Sequence, residues 1–164
     1  MILFDFLDSS IPPLFRSVND SVMGGLSEGQ MTHDREIGGI FNGRVSFERN
    51  GGFASVRNDF PPLDVSRFTG LSLNVRGDGK TYKLNLRDDG QFDGIQFQVR
   101  FRALESWSFV TVPFTQFSPV IRGRPVSRAR VINLHTITSL GFLISDRQEG
   151  PFRLEIARIS GVEM

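Results

Sequence analysis

Apolar and polar residues alternate one by one along this chain, in short runs separated by glycine, proline and aspartate. That period of two limits the fold more than any other feature. Leu71, Leu73 and Val75 alternate with Ser72, Asn74 and Arg76; Tyr82, Leu84 and Leu86 alternate with Lys83, Asn85 and Arg87. Ile95, Phe97, Val99 and Phe101 alternate with Gln96, Gln98, Arg100 and Arg102. Such a pattern sends one set of side chains to each face of a pleated strand. Phe41, Val45 and Phe47, set against Asn42, Arg44, Ser46 and Glu48, give the same signal. Asn50-Gly51-Gly52 then reads as a tight turn with positive φ at one or both glycines, and Phe53 to Arg57 as the returning strand of a β-hairpin.

Further strands are expected at Ile2–Phe6, Gln30–His33, Trp107–Val112, Leu140–Ile144 and Phe152–Ile156. Pro61-Pro62 reads as the start of a loop, with a single helical turn within Leu63–Phe68. No segment sustains a helical period. About ten antiparallel strands at this short spacing predict an all-β jelly-roll sandwich, with residues 1–164 as one domain.

Composition removes several classes of function. A net charge of +1 gives no field to gather nucleic acid or an anionic membrane. Without cysteine there are no disulfides, thiol nucleophiles or Cys-ligated zinc. The N-terminus shows no signal peptide, and no apolar run is long enough to insert in a membrane, so a cytoplasmic protein is expected. Phenylalanine occurs 16 times against one Tyr and one Trp, so the aromatic mass reads as core filling.

Few residues suggest chemistry. His33 and His135 lack ligand spacing and read as surface or packing residues. Arg76-Gly77-Asp78-Gly79-Lys80-Thr81 echoes the end of a P-loop and contains Arg-Gly-Asp, but Asn74 stands where the P-loop needs glycine, so the segment reads as a turn between strands. Asp88, Asp89 and Asp93 crowd one loop; a structural Ca²⁺ and a glycosidase acid pair are both open, beside the plainer reading as turn formers. No cofactor is expected. Two polar regions are candidate binding sites. One is the outward set Asn74, Arg76, Asn85, Arg87, Gln96 and Gln98, read as one ligand face. The other is Pro119–His135, read as a long loop carrying Arg122, Arg124, Arg128 and Arg130 with no acid between Glu105 and Asp146.

Three stretches carry a family resemblance. They are Val18-Asn19-Asp20-Ser21-Val22-Met23-Gly24-Gly25-Leu26-Ser27, then Phe41–Ser46 with Asn50-Gly51-Gly52-Phe53-Ala54-Ser55-Val56-Arg57, and finally Arg122-Gly123-Arg124 with Leu140–Phe152. In this order they resemble the complex I intermediate-associated protein family, assembly factors of NADH:ubiquinone oxidoreductase. Two departures are visible, Phe15 where a Trp is expected and Arg49 where an Asn is expected. The resemblance implies a galactose-binding-like jelly roll and a non-catalytic, chaperone-like domain. Such a domain binds subunits or intermediates of a respiratory or photosynthetic membrane complex, placing it at a membrane only through its partner. The family motif maps to Asn19, Asp20, Met23, Gly24, Gly25, Asn50, Gly51 and Gly52. The alternative is a carbohydrate-binding module. It is weakened by the placement of Tyr82 and Trp107, the residues suited to stacking on sugars, on the expected core face.

Overall fold

The alternating runs become thirteen strands in a computed structural model that describes residues 1–8, 15–18, 27–46, 52–90, 94–126 and 130–163. In chain order they are β1 (Ile2–Asp5), β2 (Arg16–Ser17), β3 (Glu28–Asp34), β4 (Gly38–Val45), β5 (Ala54–Leu63), β6 (Gly70–Arg76) and β7 (Thr81–Arg87). Then follow β8 (Gln96–Arg102), β9 (Ser108–Pro113), β10 (Ser118–Ile121), β11 (Arg124–Pro125), β12 (Ile137–Ile144) and β13 (Gly150–Val162). Among the described residues the one helical element is a 3-10 turn at Phe114–Gln116.

Two antiparallel sheets result. The six-stranded sheet runs β3-β4-β13-β6-β9, with β1 alongside β13; the seven-stranded sheet runs β11-β10-β8-β7-β12-β5-β2. The thirteen-residue β13 is the spine of the first sheet. It pairs with β4 through Gly150–Ile156, with β6 through Glu155–Val162 and with β1 near its end. An irregularity between Ile156 and Arg158 shifts the register against β6 and lets one strand serve three partners.

The inner faces meet in a core rich in aromatic rings. Phe41 packs on Phe152 at 4.9 Å between centroids, and Tyr82 lies 6.3 Å from Phe41, Phe101 and Phe152. Each fully buried ring or branched aliphatic side chain contributes about 1.5–3 kcal/mol. Phe15, the first departure from the family pattern, stacks on Phe6 at 5.8 Å and reaches Phe142 at 6.3 Å, so a phenyl ring occupies this corner of the core. Tyr82 is buried, and its hydroxyl donates to Asp78, whose carboxylate also accepts the Arg153 amide at 2.8 Å. Burial first, and then the Asp78 charge, push the phenol far above its ordinary pKa. The Arg-Gly-Asp segment is therefore a turn whose carboxylate points into the domain.

The strand layout corrects the sequence reading in three places. β4 and β5 do not form a hairpin: β4 pairs with β3 and β13, whereas β5 pairs with β12 and β2 in the other sheet. Alternation reports which face of a strand is buried, and Phe41 and Val45 face the same core as Ala54 and Val56 from the opposite side. Gly52 has φ of 146°, while Asn50 and Gly51 lie outside the described residues. Pro61-Pro62 does not open a loop but continues β5. Pro119–His135 is not a structureless loop, because it begins with the hairpin β10–β11. Ile121 pairs with Arg124 around Arg122 (φ 51°) and Gly123 (φ 77°). Two consecutive positive φ values define the primed turn that suits two-residue hairpins.

Candidate binding faces

The outward polar residues do not form a single face. Asn74 and Arg76 lie on β6, in the six-stranded sheet; Asn85, Arg87, Gln96 and Gln98 lie on β7 and β8, in the seven-stranded one. The two groups point away from each other across the sandwich, because β6 and β7 are neighbours in sequence and not in a sheet.

The outer face of the seven-stranded sheet is polar yet largely buried. Register places Arg16, Arg57, Gly141, Asn85 and Gln98 in one row across β2, β5, β12, β7 and β8. Gln98 donates to the Asn85 carbonyl oxygen at 2.9 Å. Asp59 accepts from Arg57 and from Arg16, each at 2.7 Å. Burial works against the Asp59 charge, but Arg57, the Ser139 hydroxyl and Arg16 outweigh it and hold the carboxyl below the usual range. Gly141 keeps the row shallow at its centre, since a Cβ there would sit 2.6 Å from the Val56 carbonyl oxygen. Arg57, Asp59 and Ser139 were not singled out from the sequence. Their signal was the alternation of Arg57 with the buried Val56, and it needed the strand order to become visible.

The outer face of the six-stranded sheet centres on Glu155. Arg76 Nε donates to one carboxylate oxygen at 2.5 Å, and Arg153 donates to the other at 2.8 Å. Burial again opposes the charge, but the two guanidinium groups prevail and lower the Glu155 pKa. A depression of about 280 Å³ opens here, lined by Arg76, Gly77, Glu105, Arg153 and Glu155. Arg76 also lies over the Trp107 ring at 5.1 Å. Trp107 is thus not a core residue: it is 39% exposed, and Phe109 beside it is 75% exposed. Both alternating sets of this strand contain apolar residues, Trp107-Phe109 and Val110-Val112, so parity alone could not tell inside from outside.

The arginines divide. Arg124 is exposed, as is Arg122 at the turn of the β10–β11 hairpin. Arg130 Nη2 donates to Asp88 at 3.0 Å and its guanidinium lies 5.5 Å from the Phe97 ring centre. Arg128 lies outside the described residues. Asp88 is fully buried and also accepts the Asn133 amide at 2.8 Å. Its two oxygens thus anchor the segment leading into β12, whereas Asp89 is exposed and Asp93 falls outside the described residues. Among the described residues no three His, Asp or Glu side chains are grouped to hold a metal ion. His33 Nε2 meets the Phe6 carbonyl at 2.8 Å, and His135 faces Asp64 at 3.4 Å. Of the family motif only Gly52 is described; Asn19, Asp20, Met23, Gly24 and Gly25 fall outside, with Asn50 and Gly51.

Two packed antiparallel sheets define the protein as a jelly-roll β-sandwich. A family 11 carbohydrate-binding module from Clostridium thermocellum, solved with a mixed-linked tetrasaccharide, superposes with a TM-score of 0.66 over 99% of this chain and 95% of that one, at 16% identity. A domain of an agarase superposes with a TM-score of 0.65 over 98% of this chain and 24% of the agarase, at 15% identity. At these identities the likeness is one of fold. Family is given by sequence: residues 4–156 match the model of complex I intermediate-associated protein 30 (CIA30), and the chain belongs to that family. The Drosophila melanogaster mitochondrial protein of that name is 28% identical over 181 residues, covering 94% of this chain and 60% of its own length. The Mus musculus protein is 37% identical over 98 residues, covering 57% of this chain and 30% of its own length. This chain therefore spans between roughly a third and three fifths of these relatives. Their names place them in mitochondria, which overturns the cytoplasmic expectation. Among the described residues no helix is long and apolar enough to cross a membrane.

Proposed function

We propose that this domain is a non-catalytic interaction module that binds subunits or assembly intermediates of NADH:ubiquinone oxidoreductase in a chaperone-like way. The observation that carries the reading is the family match across residues 4–156. On the outer faces the charged groups hold one another in place, Arg76 and Arg153 on Glu155 and Arg16 and Arg57 on Asp59. The basic contact falls to Arg122 and Arg124, displayed at the tip of the β10–β11 hairpin, where guanidinium groups suit carboxylates on a partner. The test is affinity capture of the tagged protein from its native cells. Enrichment of NADH dehydrogenase subunits over a control bait is expected; recovery of none of them overturns the reading.

A second reading, carbohydrate binding, is favoured by the exposed Trp107 on a polar sheet face. Arg76 lies over that ring, which competes with a pyranose for the same surface. Titration with soluble β-glucans separates the two readings, and saturable heat lost in Trp107→Ala would establish the sugar site.

A further inference from the structure

β9 is unlike the other sheet edges. β3 carries Glu28 and Asp34, β2 carries Arg16, β11 carries Arg124 and β1 carries Asp5, whereas residues 106–113, Ser-Trp-Ser-Phe-Val-Thr-Val-Pro, carry no charge. Charged residues on an edge strand discourage pairing with another chain, and β9 lacks them. Among the described residues β9 pairs only with β6.

The register shows which backbone groups β9 leaves open. The Phe114 amide donates to the Thr69 carbonyl at 3.0 Å, continuing the ladder that pairs Val112 with Leu71, Val110 with Leu73 and Ser108 with Val75. Hydrogen-bonded pairs alternate in an antiparallel ladder, so these residues turn their N–H and C=O groups toward β6. The intervening Phe109 and Thr111, and Trp107 just before the strand, turn theirs to the open edge. Pro113 falls in the same outward phase, where its missing N–H costs β6 nothing.

We propose that the protein pairs with a second copy of itself through β9, antiparallel about a two-fold axis, with Phe109 opposite Phe109 of the second copy. This centring uses the open groups of Trp107, Phe109 and Thr111 and leaves Pro113 outside the ladder. It sets no like charges against each other, and it covers the most exposed ring of the strand with its own symmetry mate. One short strand pair buries less than a standard interface, so the dimer is weak and depends on concentration. The inference is independent of the assembly role.

Sedimentation velocity over a roughly hundredfold range reaching the high micromolar tests it. A reversible monomer–dimer equilibrium is expected for the parent. Phe109→Lys should sediment as a monomer throughout, with the parent's melting temperature. Because the chain has no cysteine, single-thiol variants report the register. Under mild oxidation Phe109→Cys should form a covalent dimer, since opposed Cα atoms of a hydrogen-bonded pair lie about 5.5 Å apart, within disulfide reach. Thr111→Cys should not, because the two copies of that position are offset by four residues, about 13 Å. A monomeric parent, a dimer indifferent to Phe109→Lys, or equal cross-linking by both cysteine variants would each overturn the proposal.

Discussion

Asp88 and Arg130 are joined by a hydrogen-bonded ion pair of 3.0 Å between the end of β7 and the segment that leads into β12. The Asp88 carboxylate is fully buried, and its other oxygen accepts the Asn133 amide at 2.8 Å. Replacing it by alanine leaves that amide without its acceptor and Arg130 without its counter-charge. Asp88→Ala should cost about 2 kcal/mol in urea unfolding, and Asp88→Asn, which keeps an acceptor, clearly less. Two variants that unfold like the parent would remove this anchor from the account.

Glu155 gives the domain a measurable acid sensitivity. Its folded pKa is lowered against the pull of burial by Arg76 and Arg153. A depressed carboxyl contributes stability that is fully present above its unfolded value of about 4.3 and fades as pH falls through the lower folded value. Melting temperatures of parent and Glu155→Gln should therefore differ most near neutral pH and converge as pH falls through 4 and below. A constant gap across that range would contradict the assignment.

Gly141 sits where backbone and face compete for space. A methyl group there meets the Val56 carbonyl oxygen at 2.6 Å, contact that only a shift of β5 or β12 relieves. Gly141→Ala should destabilise the domain by about 1–3 kcal/mol, read by denaturant unfolding.

The β10–β11 hairpin tests the basic contact apart from the fold. Arg122 holds the turn at φ of 51°, so it is left in place, while Arg124→Glu reverses an exposed charge beside it. The variant Arg124→Glu should melt within about 1 °C of the parent, since exposed substitutions change stability little. It should also capture less partner, and capture by the parent should weaken as salt rises above roughly 0.1 M. Undiminished capture would move the contact to another face.

Strand positions were legible in the sequence because burial on one side imposes a period of two, as Leu71-Leu73-Val75 and Phe97-Val99-Phe101 show. Strand neighbours were not. Phe41 and Val56 obey the same alternation whether their strands pair side by side or face each other across the core. The split of Arg76 from Asn85, the buried row through Arg57 and Gly141, and the exposure of Trp107 all follow from that missing order. The hairpin at Arg122-Gly123 escaped notice because its φ values fall on an arginine as well as a glycine. Family membership was legible from the ordered motifs, since it depends on residue identity and needs no strand order.

The central claim, that this domain serves the assembly of NADH:ubiquinone oxidoreductase, is tested most directly by removing it from its native organism and resolving membrane complexes on native gels. The mature enzyme is expected to fall, partly built subassemblies to accumulate, and both effects to be reversed by returning the gene. A normal level of mature enzyme with no subassembly in its absence would contradict it.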